Sequence, residues 1–535
     1  MFLVFIFLAL LMLPMDAMAD EGAPTLLPVA DIGNVSDLTP DAKVELDHFY
    51  SLRSYRPAWN LSDEASLKRT AAFVSSVSAL VAYHGLETSD YPLELMLKLT
   101  QNPTDADKQK LELLISASLI HLAHDLHGDA INLDALYTGW TFHRQPADLL
   151  ALLNAAITDS SLETFFAKLA PQDQAYRALS GALQIYSAIA ARGGWPRVKP
   201  GPALHLHDRD PRILQLRGRL AAEGYGPADS QNDVFDDALA KALTLYQTRN
   251  GLSPDGSLGT KTQEALDVPV SQRVTQIKAN MERWRHMPED FPPDRYTLVN
   301  IPDFSVLIIE KGKEAYRGIV IDGRPDRQTP FINSRIVNML INPSWHVPVS
   351  LAKKDILPKL RKNPHYLEKL GFVIAGRDSD PAGVTINWKA VDPDHFPYKL
   401  RQTPGDLNSL GQLKFNFSNP FDVYMHGTPH QELFEKAERD FSSGCVRLED
   451  PISVGEILLA HTTDKEGHWT EQRIQDEIDT GKTYFVTLAK PMPVFFLYWS
   501  VFAGDDGQIN FRKDIYGYDQ LLIEKLKENA TPITQ

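Results

Sequence analysis

Tyr424-Met425-His426-Gly427-Thr428-Pro429 and Ser442-Ser443-Gly444-Cys445-Val446-Arg447 are the stretches on which the reading of this chain turns. Cys445 is the only cysteine among 535 residues. A lone thiol has no partner in its own chain, so its use lies in packing or in reactivity. A thiol attacks as its thiolate, which calls for a base, nearby positive charge and donors for the oxyanion that forms. The two stretches offer each of these. His426 is the candidate general base. Arg447 places a cation two residues past the sulfur, where it lowers the thiol pKa or binds a substrate carboxylate. Gly444 lets the chain turn tightly, so that the N–H groups of Gly444 and Cys445 point at a substrate carbonyl. Taken singly, such a Cys, His or Arg is usually inert, hydrogen-bonded or solvated.

Working outward, the flanking sequence has β texture. Short runs rich in Val, Ile and Tyr at 296–301, 305–310, 315–322, 336–341 and 423–425 alternate with turns such as Pro302-Asp303 and Lys311-Gly312. Further runs lie at 484–488 and 494–502, the apolar strand 493–499 is expected to close the sheet late in the chain, and a short helical stretch follows at 519–529. The irregular, proline-containing stretch 349–415 interrupts the pattern, which predicts an inserted cap over a site.

Before residue 200 the periodicity is helical. Segments 65–83, 107–126 and 148–157 carry apolar residues three and four apart, and Leu111, Leu114, Ile115, Leu119 and Leu122 share one face with Lys110 and Glu112 at its flanks. A breaker-rich linker, Gly193-Gly194-Trp195-Pro196 through Pro202, leads into a compact unit at 205–267. There helices are predicted at 213–223, 233–250 and 257–266, with glycines at the turns.

Residues 1–15 are uncharged and mostly apolar, and Ala17-Met18-Ala19 has the small-x-small form of a signal-peptidase site, so 1–19 reads as a secretory signal. No Lys or Arg precedes the apolar run, which leaves an uncleaved membrane anchor as the alternative. Residues 20–40, poor in aromatics, read as a disordered leader. An exported chain with one cysteine is no disulfide scaffold. The net charge of −15 argues against nucleic acid as a main partner. His365 and His468 lack metal-ligand spacing, and no glycine-rich phosphate loop follows a strand, so neither metal nor nucleotide is predicted.

The paired motifs resemble the YkuD-type L,D-transpeptidases, in which a His-Gly segment is followed about fifteen to twenty residues later by Ser/Thr-x-Gly-Cys and a polar residue. Asn342-Pro343-Ser344-Trp345, Leu410-Gly411 with Leu413-Lys414-Phe415, and Tyr498-Trp499 also resemble the large Gram-negative branch. The turns and helices of 205–267 resemble the three-helix peptidoglycan-binding module of cell-wall hydrolases. The resemblance implies a multidomain α+β fold: an all-α scaffold at 41–200, a peptidoglycan-binding module at 205–267, a mostly β catalytic domain at 296–520 with its cap at 349–415, and a tail at 521–535. It implies Cys445 as nucleophile and His426 as general base, with Tyr424 helping the oxyanion site, the Gly427 carbonyl orienting the imidazole, and Arg447 and Ser443 at the substrate. Ser443 stands where many members have a second His, so no role of that His carries over. The implied chemistry is a two-step acyl transfer. A meso-diaminopimelate tetrapeptide stem is the donor, a second stem the acceptor, D-alanine is released and a 3–3 cross-link forms in the periplasm without a cofactor. Cell-wall synthases are implied as partners and carbapenems as acylating agents. Water, a lipoprotein amine or a D-amino acid as acceptor remain open, as does a non-catalytic wall-binding scaffold.

Overall fold

The computed structural model describes residues 32, 38–226, 232–465, 467–529 and 533. The expected signal at 1–19 and most of the expected leader lie outside them; of the leader, Leu38 is buried and Pro40 already begins a helix. The chain forms two compact units, each assembled from separate stretches of sequence.

The first unit comprises residues up to 136, 142–291 and 500 onward. Its N-terminal part is helical, with Pro40–Leu52, Glu64–Tyr83, Asp105–His127, Leu149–Thr158 and Gln174–Ala191 as the longer elements. Side chains set the helix ends: Asp63 with Ser66, and Thr104 with Asp107, form capping boxes. Gly128 stops Asp105–His127 at φ 91°, where a Cβ would lie 2.9 Å from the Arg285 carbonyl oxygen. This helix is central rather than amphipathic. Glu112, expected at the edge of an apolar stripe, is 3% exposed. A buried carboxyl needs partners, and Glu112 accepts from Tyr50 Oη at 2.8 Å, Ala58 N at 2.5 Å and Trp59 N at 3.2 Å.

The same unit contains the three-helix module, Arg212–Ala221, Asp237–Arg249 and Thr260–Leu266, around Ile213, Leu216, Leu220, Phe235, Leu243 and Tyr246. Gln247 is buried and pins its turn, donating to Asp255 and Thr262 and accepting from Gly256 N. The end of the chain also packs here. The β domain was expected to run to 520, followed by a tail; instead the hairpin Val501–Ala503 with Ile509–Phe511 and the helix Tyr518–Asn529 lie in the helical unit. Their anchor is polar: Asp519 pairs with Arg283 at 2.6 Å and accepts from Ser500 Oγ at 2.5 Å.

The second unit comprises 137–141 and 292–499. Its strands are β1 (Tyr296–Asn300), β2 (Ser305–Glu310), β3 (Lys313–Gly323), β4 (Ile332–Ile341), β5 (Trp345–His346), β6 (Phe372–Ile374), β7 (Leu400–Gln402), β8 (Leu413–Phe417), β9 (Met425–His426), β10 (Asp440–Ser442), β11 (Val446–Leu448), β12 (Thr463–Asp464), β13 (Gly467–His468) and β14 (Tyr484–Leu497). The main sheet runs β10-β3-β11-β9-β8-β4-β14-β1-β2, and β2 pairs with β3 to close it. Alternation decides which face is covered: Leu413, Phe415 and Phe417 of β8 are buried while Lys414 and Asn416 are half-buried. The helix Pro451–Leu459 covers the buried face, where a Cβ on Gly455 would meet Met339 Sδ at 3.0 Å. The strand expected at 494–502 breaks after Leu497.

Between β4 and β8 lies a segment with a sheet of its own. Its own sheet, β5-β7-β6, starts at Trp345 and ends at Gln402, over a core of Leu357, Leu360, Leu367, Phe372 and Trp388. Residues 413–415, expected inside the cap, belong to β8 of the main sheet.

Candidate active site

Strand pairing assembles the site. β9 lies between β8 and β11: His426 pairs with Lys414 on one side and with Arg447 on the other. Val446 N donates to the Tyr424 carbonyl at 3.2 Å, which sets Tyr424 beside Cys445. Two motifs distant in sequence thus become neighbours through a parallel pair.

His426 is buried, and its Nδ1–H donates to the Gly427 carbonyl at 2.5 Å. A carbonyl can only accept, so in the neutral ring Nε2 carries the lone pair. Burial first, then the positive charge of Arg447, lowers its pKa to about 3. The imidazole is therefore neutral, the form a general base requires. Gly411 holds this loop: its φ is 62°, and a Cβ there would lie 2.6 Å from Thr428 N.

Cys445 is half-buried. Burial pushes its thiol pKa up; the main-chain N–H of Tyr424, the charges of Lys414 and Arg447, and the Tyr424 phenol pull it down. The thiol also lies 4.0 Å from the Asp422 carbonyl. Tyr424 is fixed on several sides. Trp345 of β5 lies close enough to the phenol to hold its pKa down, Lys414 Nζ sits 3.8 Å from the ring centroid, and the His426 ring is 5.6 Å away. Burial, and then the Cys445 charge, raise the phenol pKa, so the O–H stays a donor.

Gly444 departs from expectation. Its φ is 112°, as a tight turn requires, but its N–H donates to Ser442 Oγ at 3.0 Å and its carbonyl accepts from Thr329 Oγ1 at 3.0 Å. The N–H expected to face a substrate carbonyl is taken by a side chain two residues upstream, a local competition typical of serine. Ser443 is exposed, and its Oγ accepts from Arg327 Nη1 at 3.0 Å. Arg327 in turn grips Asp355 of the cap with contacts of 2.5 and 2.7 Å. Arg447 is half-buried, with an Nε that has no hydrogen-bond partner among the described residues; burial lowers its pKa and the Cys445 charge opposes that.

The structure therefore brings Cys445, His426, Tyr424, Gly427 and Arg447 together, redirects Gly444, and ties Ser443 toward the cap. Sequence reasoning missed Lys414, Trp345, Arg327 and Asp355. Lys414 and Trp345 lay inside runs already singled out, whereas Arg327 and Asp355 carried no local signal. Among the described residues no group of three or more His, Cys, Asp or Glu side chains is arranged to hold a metal ion, and no helix is long and apolar enough to cross a membrane.

Comparison with known proteins matches three separate stretches of the chain. Residues 44–183 match a scaffold domain, 209–266 a "Putative peptidoglycan binding domain", and 294–463 the YkuD L,D-transpeptidase catalytic domain. A "Putative L,D-transpeptidase" of Haemophilus influenzae is 35% identical over 277 residues, covering 50% of this chain and 54% of that protein. The chain thus spans about half the length of that curated relative. The crystal structure of an L,D-transpeptidase (Yku) from Stackebrandtia nassauensis aligns with 13% identity and a TM-score of 0.19, over 49% of this chain and 89% of that one.

Proposed function

We propose that this chain, which carries a YkuD L,D-transpeptidase catalytic domain beside a peptidoglycan-binding domain and a scaffold domain, joins peptidoglycan stem peptides by 3–3 cross-links through an acyl-enzyme on Cys445. His426 Nε2 takes the thiol proton as Sγ attacks the carbonyl carbon of the third stem residue, meso-diaminopimelate. The Tyr424 phenol steadies the negative charge. The C–N bond to D-alanine breaks, and His426 returns the proton to the leaving amine. The side-chain amine of a second stem then attacks the thioester carbon, the C–S bond breaks as the new amide forms, and the amine's surplus proton passes through His426 to the departing thiolate. Arg447 offers positive charge to substrate carboxylates. The work lies outside the cytoplasm, and in the periplasm if residues 1–19 act as an export signal. The peptidoglycan-binding module holds the wall, and cell-wall synthases are the natural suppliers of strands.

The observation that carries this reading is the parallel pairing that brings Tyr424 against Cys445, with His426 on the same strand kept neutral by its burial. Incubation with purified disaccharide-tetrapeptide should yield cross-linked dimer and free D-alanine by mass spectrometry. Cys445→Ala should fold normally and yield neither; turnover retained in that variant overturns the proposal. Carbapenems should add one covalent adduct to the wild type and none to Cys445→Ala in intact-protein mass spectra.

A further inference from the structure

Two rows of side chains run outward from the site across the face of the sheet opposite the helix Pro451–Leu459. In the first, register pairs Arg447 with His426, His426 with Lys414, Lys414 with Leu340, and Leu340 with Phe485. The second lies two residues along each strand and runs from Cys445 past Tyr424 to Asn416, Asn338 and Thr487. Past Tyr424 and His426 the transpeptidase reading gives these side chains no task.

Their chemistry is specific. Lys414 is half-buried over the Tyr424 ring, and among the described residues no carboxylate forms an ion pair with it; the charges acting on it are Cys445 and the exposed Asp422. Asn416 Nδ2 donates to Asn338 Oδ1 at 2.7 Å. That single bond leaves Asn416 Oδ1 as an acceptor and Asn338 Nδ2 as a donor, side by side, which is the complement of one peptide unit. Alongside them Phe485 is 57% exposed and Leu340 half-exposed, an apolar edge with no polar duty.

We propose that this strip, Lys414, Asn416, Asn338, Leu340 and Phe485, binds the peptide that accepts the acyl group. Lys414 takes one of its carboxylates, the asparagine pair brackets a peptide unit, and Leu340 with Phe485 covers its aliphatic part. The side of approach selects acceptor over donor. The strip is separated from Cys445 by Tyr424 and His426, so an amine arriving along it meets the base before it meets the thioester.

The assignment rests on the transpeptidase reading, and the test separates the two. With tetrapeptide substrate, Asn338→Leu/Asn416→Leu and, separately, Lys414→Met should lower dimer formation about tenfold. D-alanine release from the asparagine variant should stay within about twofold of wild type, with water taking the acyl group. A parallel fall in both products in that variant, or no change in either, overturns the acceptor assignment. A tripeptide stem lacks the bond that Cys445 would break and so can act only as acceptor. Titrated into the full chain carrying Cys445→Ala, it should bind about tenfold more weakly once the asparagine pair is replaced; equal binding overturns the strip. Absence of D-alanine release from wild type would instead sink the transpeptidase reading, and the tripeptide titration would still judge the strip.

Discussion

At the scale of single residues, the site's chemistry depends on which protons are already in place. His426 is held near 3, so it is neutral through the working range and its titration lies below it. The thiol is pushed up by burial, so alkylation of Cys445 should climb toward alkaline pH without the inflection near 6.5 of an ordinary histidine. Tyr424→Phe removes a donor to the sulfur. D-alanine release should fall about 10²- to 10³-fold, as when one oxyanion donor is lost, and the alkylation profile should move to higher pH; unchanged values for both would show the phenol to be a spectator. Asp322 is a different case. It is fully buried in β3, neither carboxyl oxygen has a hydrogen-bond partner among the described residues, and burial raises its pKa well above the usual carboxylate range. Below its unfolded pKa of ~3.9 both states are protonated; as pH rises past that value the unfolded chain ionises and the folded one resists, so stability is lost. Asp322→Val should therefore stabilise the protein by about 1–3 kcal/mol at neutral pH, with the gain shrinking toward pH 4 in denaturant titrations.

At the scale of elements, the inserted segment is tethered close to Cys445. Arg327, after β3, joins Asp355 of the cap to Ser443, two residues before Cys445. The hydrogen bond from Arg327 lowers the Asp355 pKa, so the tether holds above the ordinary carboxylate range and fails as pH drops through the depressed value. Asp355→Asn should loosen residues 349–362, read as faster amide exchange there, and raise the KM for tetrapeptide severalfold with little change in kcat. Unchanged exchange would mean the apolar core of the cap holds it alone. This contact marks where sequence reading stops. The His426 and Cys445 motifs were legible because each is local and its chemistry is confined to few residue types. β8 was half legible, since Leu413-Lys414-Phe415 stood out, yet its place in the main sheet rather than the cap depends on pairing with β4. Gly444 misled because a serine hydroxyl two residues away satisfies the same N–H that a substrate would use.

At the scale of the molecule, each unit is discontinuous in sequence, and that could not be read from texture alone. The short helix near the C-terminus was legible, but its destination was not: Tyr518–Asn529 has the composition of a surface tail, and its docking is decided by Asp519, one carboxylate buried against Arg283. Asp519 also accepts from Ser500 Oγ, and Ser500 Oγ from Asn280 Nδ2, so one acidic side chain joins three stretches of the helical unit. Removing one partner of a buried ion pair strands the other charge in a poorly solvating interior, which costs about 3–5 kcal/mol. Asp519→Ala should destabilise the helical unit by that much, read as a lower melting temperature for its transition. The second unit, which ends at Trp499, should keep its own transition, resolved as a second calorimetric peak. Asp519→Asn, which keeps the shape and two hydrogen-bonding groups, should recover part of the loss. Equal melting of wild type and Asp519→Ala would show that the final helix is held by its apolar face, through Leu522, rather than by the buried pair.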